Sequence, residues 1–251
     1  MNLSLKSRTF ITLVIVLGLC VLGMAIANAS AIHSVRFIAF LLVACLAARL
    51  KVKLPGVSGN MAVNLPFILV AVAEMTLLEA LIVGCLSNLV HCVPSDKRKF
   101  NWLRTSFNVC TMALAVGATR LIDGSSFLAS YVGSHPLRLA IATAGFFLVN
   151  TITIAIVIAL TESNKGFGRA WLGIFQLSYP YFLASAGVAG VVLTLVVRVG
   201  WQVPVLILPL MAGVFYSYRR FFALPPKLTA DIAPGKIGPE GVHQAEKQAH
   251  A

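Results

Sequence analysis

The sequence predicts an all-α, polytopic integral membrane helix bundle of about eight transmembrane helices with cytoplasmic N- and C-termini. Three observations predict it. Residues of the AVILMFWYC set make up 59% of the 251 residues and charged residues only 11%, where a soluble domain carries roughly 25% charged residues. The apolar residues fall into runs near the length of about 20 residues that a helix needs to cross a bilayer. The basic residues are clustered in the gaps between those runs, as cytoplasmic membrane loops require.

The first predicted span covers residues 10–29, after Lys6 and Arg8. Ala27-Asn28-Ala29 has the small-residue pattern of a signal cleavage site, but the run is long for a signal core and is expected to be retained. The second span covers 32–48, with Arg36 one turn inside it. A Gly/Pro loop, Lys51 to Asn60, leads to an apolar stretch from Met61 to Val93 that is too long for one helix. It is expected to break at Glu74-Met75-Thr76 into spans 61–73 and 77–93.

After the basic group Lys97-Arg98-Lys99, a short span is expected at 105–119, framed by Arg104 and Arg120. The loop 123–136 carries Phe127, Leu128, Tyr131 and Val132 and is expected along the membrane surface. Spans 139–160, 177–197 and 203–217 complete the set, with Trp171–Phe175 as a separate interfacial helix with aromatic anchors. The bundle is thus expected over 1–222. Pro225-Pro226, Pro234-Gly235 and Gly238-Pro239 make 223–251 a disordered cytoplasmic tail.

With the N-terminus inside and eight crossings, sixteen Lys and Arg fall on the cytoplasmic side. Only Arg36, Arg120, Arg138 and Arg198 fall outside. The net charge of +12 therefore belongs to membrane topology, and no nucleic acid partner is implied. The five cysteines all lie in apolar stretches and contain no CxxC pair, so neither a disulfide framework nor a zinc site is expected.

The topology places Arg36, Glu74, Glu79 and Arg120 at the outward ends of their helices, where two acids and two bases meet as a candidate ligand-binding pocket. Glu79 lies on the first turn of its helix, where the dipole favours an anion. The competing reading is an ion-paired network that only closes the helix ends. Asn64, Asn88, Asn108 and Asn150 are expected to make interhelical polar contacts. Ser185/Ala189 and Ala186/Gly190 have small-xxx-small spacing for close packing. Pro66, Pro180, Pro204 and Pro209 are candidate kinks or helix starts.

No metal or cofactor motif is present, and no catalytic one: HExxH, GxSxG, GxGxxG and the P-loop are all missing. Gly56-Val57-Ser58-Gly59 is similar to the serine motif of rhomboid proteases, which needs a histidine general base from a later span. Of the later histidines His91 stands at the end of its span, His135 precedes Pro136, and His243 and His250 lie in the tail, so an enzyme is not expected.

Leu54-Pro55-Gly56, Val63-Asn64-Leu65-Pro66-Phe67 and Glu79-Ala80 resemble the membrane-embedded sensor modules that precede GGDEF, HD-GYP or histidine-kinase domains in bacteria. So do Ser106-Phe107-Asn108, Val149-Asn150-Thr151, Leu208-Pro209-Leu210 and Tyr218-Arg219-Arg220. The resemblance covers about residues 35–222. It implies a multi-pass protein of the bacterial cytoplasmic membrane that binds a small molecule, or senses the membrane, and passes a helix movement inward. Such modules are followed by an output domain; here the tail follows, so a separate protein partner is expected. The Gly/Pro loop before a short-helix pair, with Gly84, also resembles the substrate-capture subunits of energy-coupling-factor vitamin importers. A structural or assembly subunit of a larger membrane complex is the third reading.

Overall fold

Apolar runs separated by capping residues give helices over most of the described residues. The computed structural model describes residues 4–29, 34–53, 60–93, 101–161 and 166–200, with isolated positions beyond. Compact units are formed by 1–212 and by 213–251, and every element below belongs to the first. The span expected at 203–217, apart from isolated residues, and the tail from 223 lie outside the described residues.

Helix α1 (Leu5–Ala27) starts at Ser4, whose side chain accepts from the Ser7 N–H, and stops at Asn28, whose amide donates to the Met24 carbonyl. Helix α2 (Ser34–Arg49) carries Arg36 in its first turn. The following loop contains the one departure from helix among the described residues. It is an antiparallel ribbon of β1 (Lys51–Lys53) with β2 (Asn60–Ala62), pairing Lys51 with Ala62. Ser58 lies outside the described residues.

Helix α3 (Leu65–Glu74) begins with Pro66 in its first turn, where a missing N–H costs nothing. Helix α4 (Leu77–Cys92) follows after Met75 and Thr76. Helix α5 (Trp102–Asp123) is longer than the span expected at 105–119, because Arg104 and Arg120 lie inside it. Asn101 caps its start by accepting from the Arg104 N–H, and Gly124 ends it. Arg120 does not have to end the helix, because its guanidinium finds a carbonyl on α3.

The loop expected over 123–136 holds the short α6 (Ser126–Tyr131), none of whose residues is buried. Helix α7 (His135–Thr161) is followed by α8 (Phe167–Val199), which runs unbroken through Pro180. The expected interfacial helix Trp171–Phe175 is thus part of α8. Proline withholds one N–H there, but Phe175, Tyr179 and Phe182 all lie edge-on to Phe147 of α7. That aromatic packing holds both sides of the proline to one neighbour.

Helix α5 packs against α1, α4 and α7, α2 packs on α4, and α8 covers α7 and α3. Among the described residues four helices are long and apolar enough to cross a membrane: α1, α5, α7 from Leu137, and α8 over Ser178–Val196. Their outer faces are aliphatic, with Leu13 and Leu17 on α1, Leu148 on α7 and Leu183 and Val191 on α8 all exposed. A water-soluble bundle would be polar there. Several threonines inside the helices bond locally. The hydroxyls of Thr119, Thr143, Thr151 and Thr153 each donate to the carbonyl four residues back, so these four donors are not left bare in an apolar setting.

Small residues set the closest helix approaches. A Cβ on Gly18 would stand 2.6 Å from the Cys110 Cβ and 2.8 Å from its Cα and its carbonyl oxygen, so α1 and α5 approach with their backbones almost touching. Ser185 and Ala189 are buried, so this small-residue face of α8 is used inside the bundle. Gly18→Val should lower thermal stability in detergent, by about 1–3 kcal/mol, the usual cost of overpacking. Gly23 has open space around it, and Gly23→Ala should be neutral or stabilising by roughly 0.5–1 kcal/mol. Melting curves of the two variants in one detergent would check the opposite signs.

Candidate functional site

Helix α3 has ten residues, about 15 Å of length, against roughly 30 Å of hydrocarbon. Every residue from Leu65 to Val72 is buried, so the helix lies inside protein on all sides. Its ends must then be satisfied by protein groups. At the N-terminal end the Tyr181 hydroxyl of α8 accepts from the Leu65 N–H at 3.4 Å. At the C-terminal end Nη1 of Arg120 donates to the Val72 carbonyl at 2.6 Å. A guanidinium there also meets the negative end of the helix dipole.

The chain then turns within two residues. Thr76 is the N-cap of α4, and Thr76 and Glu79 form a reciprocal capping box. The Glu79 N–H donates to Thr76 Oγ1 at 3.3 Å, while Glu79 Oε2 accepts from the Thr76 N–H at 3.0 Å and its hydroxyl at 2.9 Å. Glu79 is only 1% exposed. This bonding and the positive end of the α4 dipole are what let a carboxylate be buried here. On the open side of the turn, Arg36 Nη2 pairs with Glu74 Oε2 at 2.7 Å, with side chains 29% and 21% exposed.

These groups line one open-mouthed cavity of about 280 Å³, bounded by Arg36, Phe37, Ala73, Glu74, Met75, Thr76, Glu79 and Arg120. Arg36, Glu74, Glu79 and Arg120 therefore come together from α2, α3, α4 and α5. Phe37, Ala73, Met75 and Thr76 were missed from the sequence. The Thr76-Leu77-Leu78-Glu79 signature of a capping box was there to identify Thr76; the apolar three carry no signal of their own. Among the described residues no group of three His, Cys, Asp or Glu converges as metal ligands do.

Three of the four asparagines link helices at the other end of the α4–α5 pair and beneath α3. Asn64 donates to Ser87 Oγ at 3.0 Å. Asn88 donates to the Asn108 carbonyl at 2.9 Å, and Asn108 to Cys92 Sγ at 3.6 Å. Asn150 departs from expectation: it is half-buried on α7 and makes no interhelical hydrogen bond among the described residues.

No protein-family model matches the sequence, and neither a curated protein nor a solved structure matches it.

Three substitutions separate the roles of the arginines. Arg120→Met should destabilise by about 1–3 kcal/mol, because it strips the side-chain donor that the Val72 carbonyl has among the described residues. Arg36→Gln and Glu74→Gln, each mild alone, should show a coupling of roughly 0.5–3 kcal/mol in a double-mutant cycle. Denaturation of Arg120→Met and of the four proteins of the cycle in mixed micelles supplies the measurement.

Proposed function

We propose that this chain is a multi-pass protein of the bacterial cytoplasmic membrane, with about eight spans and both termini inside. Its bundle binds a small molecule and passes a helix movement to a protein partner, as a sensory module does. The sixteen-to-four division of basic residues supports the topology.

The observation that carries the binding role is the convergence of four charged side chains from four helices on one cavity beside a broken helix pair. A network that merely closes helix ends has no need of a cavity. Discontinuous helices whose termini face a cavity are where membrane proteins place ligand sites. A ligand touching α2, α3, α4 and α5 together can bias their relative positions, provided it binds the two arrangements unequally.

The uptake-transporter reading implies docking on a partner through small-residue helix faces. Gly84 instead abuts Val116 of α5, with 3.1 Å between that side chain and a Cβ placed on the glycine. The Ser185/Ala189 face is likewise buried. These observations favour the sensory reading.

Native mass spectrometry of the intact chain, purified in mild detergent, tests this. The expected spectrum contains a bound small molecule, a protein partner, or both. A bare monomer with unchanged abundance for Arg36→Gln and Glu74→Gln would sink the proposal.

A further inference from the structure

We infer that the cavity takes a small monocarboxylate with an apolar body, its two oxygens bound by the guanidinium of Arg120. The inference rests on the reading of the cavity as a ligand site and adds the class of ligand.

The ionic groups of the lining are unequally engaged. Glu74 is committed to Arg36 at 2.7 Å. Glu79 is committed to the Thr76 N–H and hydroxyl and is buried with them. Arg120 forms no ion pair among the described residues and gives one N–H to a neutral carbonyl. A guanidinium has five N–H donors in a rigid fork, so most of the Arg120 donors remain for a guest. Arg36 Nε is a second donor, buried and without a partner. The unspent capacity of the cavity is thus donors beside a positive charge. The guest that matches is an acceptor-only planar anion, which a guanidinium fork binds through two parallel hydrogen bonds.

A cation is disfavoured, because it would have to take Glu74 from Arg36 or Glu79 from the capping box. A dianion is also disfavoured. The four charged residues sum to zero, so a second negative charge on the guest would meet two carboxylates with no further cation to offset it. The rest of the guest is defined by Phe37, Ala73 and Met75, which give the cavity an apolar wall. At about 280 Å³ the cavity lies at or below the low end of the 300–1,000 Å³ typical of drug-sized sites. The guest is therefore small, and its body is aliphatic or a single ring.

The test uses the full chain in lipid nanodiscs and five probes: hexanoate, benzoate, hexanamide, benzamide and hexylammonium. Titration calorimetry should show both acids binding, with the amides and the ammonium weaker by about tenfold or more. Arg120→Lys retains the charge and a donor for Val72 but loses the fork, and should weaken the acids by about tenfold or more. Ala73→Leu fills the cavity with all four charges in place, and should abolish acid binding without lowering the melting temperature of the unliganded protein.

Equal binding of the amides or the ammonium at a site blocked by Ala73→Leu would overturn the carboxylate inference and leave the ligand-site reading standing. Acid binding that survives Ala73→Leu overturns the inference, since the acids would then sit elsewhere. Failure of all five probes together with a co-purified ligand lacking an acid group also overturns it alone. Failure of all five with nothing co-purified overturns both readings.

Discussion

Arg120 reaches across from α5 to donate to the Val72 carbonyl at 2.6 Å, and that bond allows a ten-residue helix to end inside the bundle. A helix terminus leaves four backbone groups without intrahelical partners, and in an apolar environment each costs several kcal/mol. Tyr181 answers the N-terminal end of α3, and Arg120 answers the C-terminal end. Once α3 stops there, α4 must restart within two residues, which fixes the Thr76–Glu79 box and brings Glu74 opposite Arg36. The cavity is the space left around that turn.

The same constraint explains how the molecule divides polar from apolar. Its charged lining is collected at one end of four helices, and the buried hydroxyls of Thr119, Thr143, Thr151 and Thr153 bond to their own backbone. Large aliphatic side chains are left to face outward on α1, α7 and α8. An interior that is locally satisfied and an exterior that is apolar are what a bilayer selects for. The closest helix contacts use glycine and small residues rather than bulky side chains, as at Gly18 against Cys110 and Gly84 against Val116.

Much of this was legible in the sequence because hydropathy and charge are local properties. The break beside Glu74 showed as a stretch too long for one helix with an acid within it. The four cavity charges showed because alternating spans put their positions at one end. The errors arose where a long-range partner overrode a local signal. Arg104 and Arg120 looked like helix boundaries, yet α5 runs through both, because Arg120 has a carbonyl partner 48 positions away. Pro180 and the aromatic cluster looked like a boundary between two helices, yet packing on Phe147 keeps α8 continuous. Asn150 has the same chemistry as Asn88, but no described acceptor stands opposite it on a neighbouring helix.

Sequence alone determined the solvent of this protein, the helical class and the identity of its four unusual charges, since each follows from composition and order along the chain. Tertiary structure alone decided what those charges do. Glu79 is held in a helix cap, Glu74 is held by Arg36, and Arg120 keeps most of its donors. That division depends on which side chains lie within three ångströms of one another, a property of helix placement that no local pattern encodes.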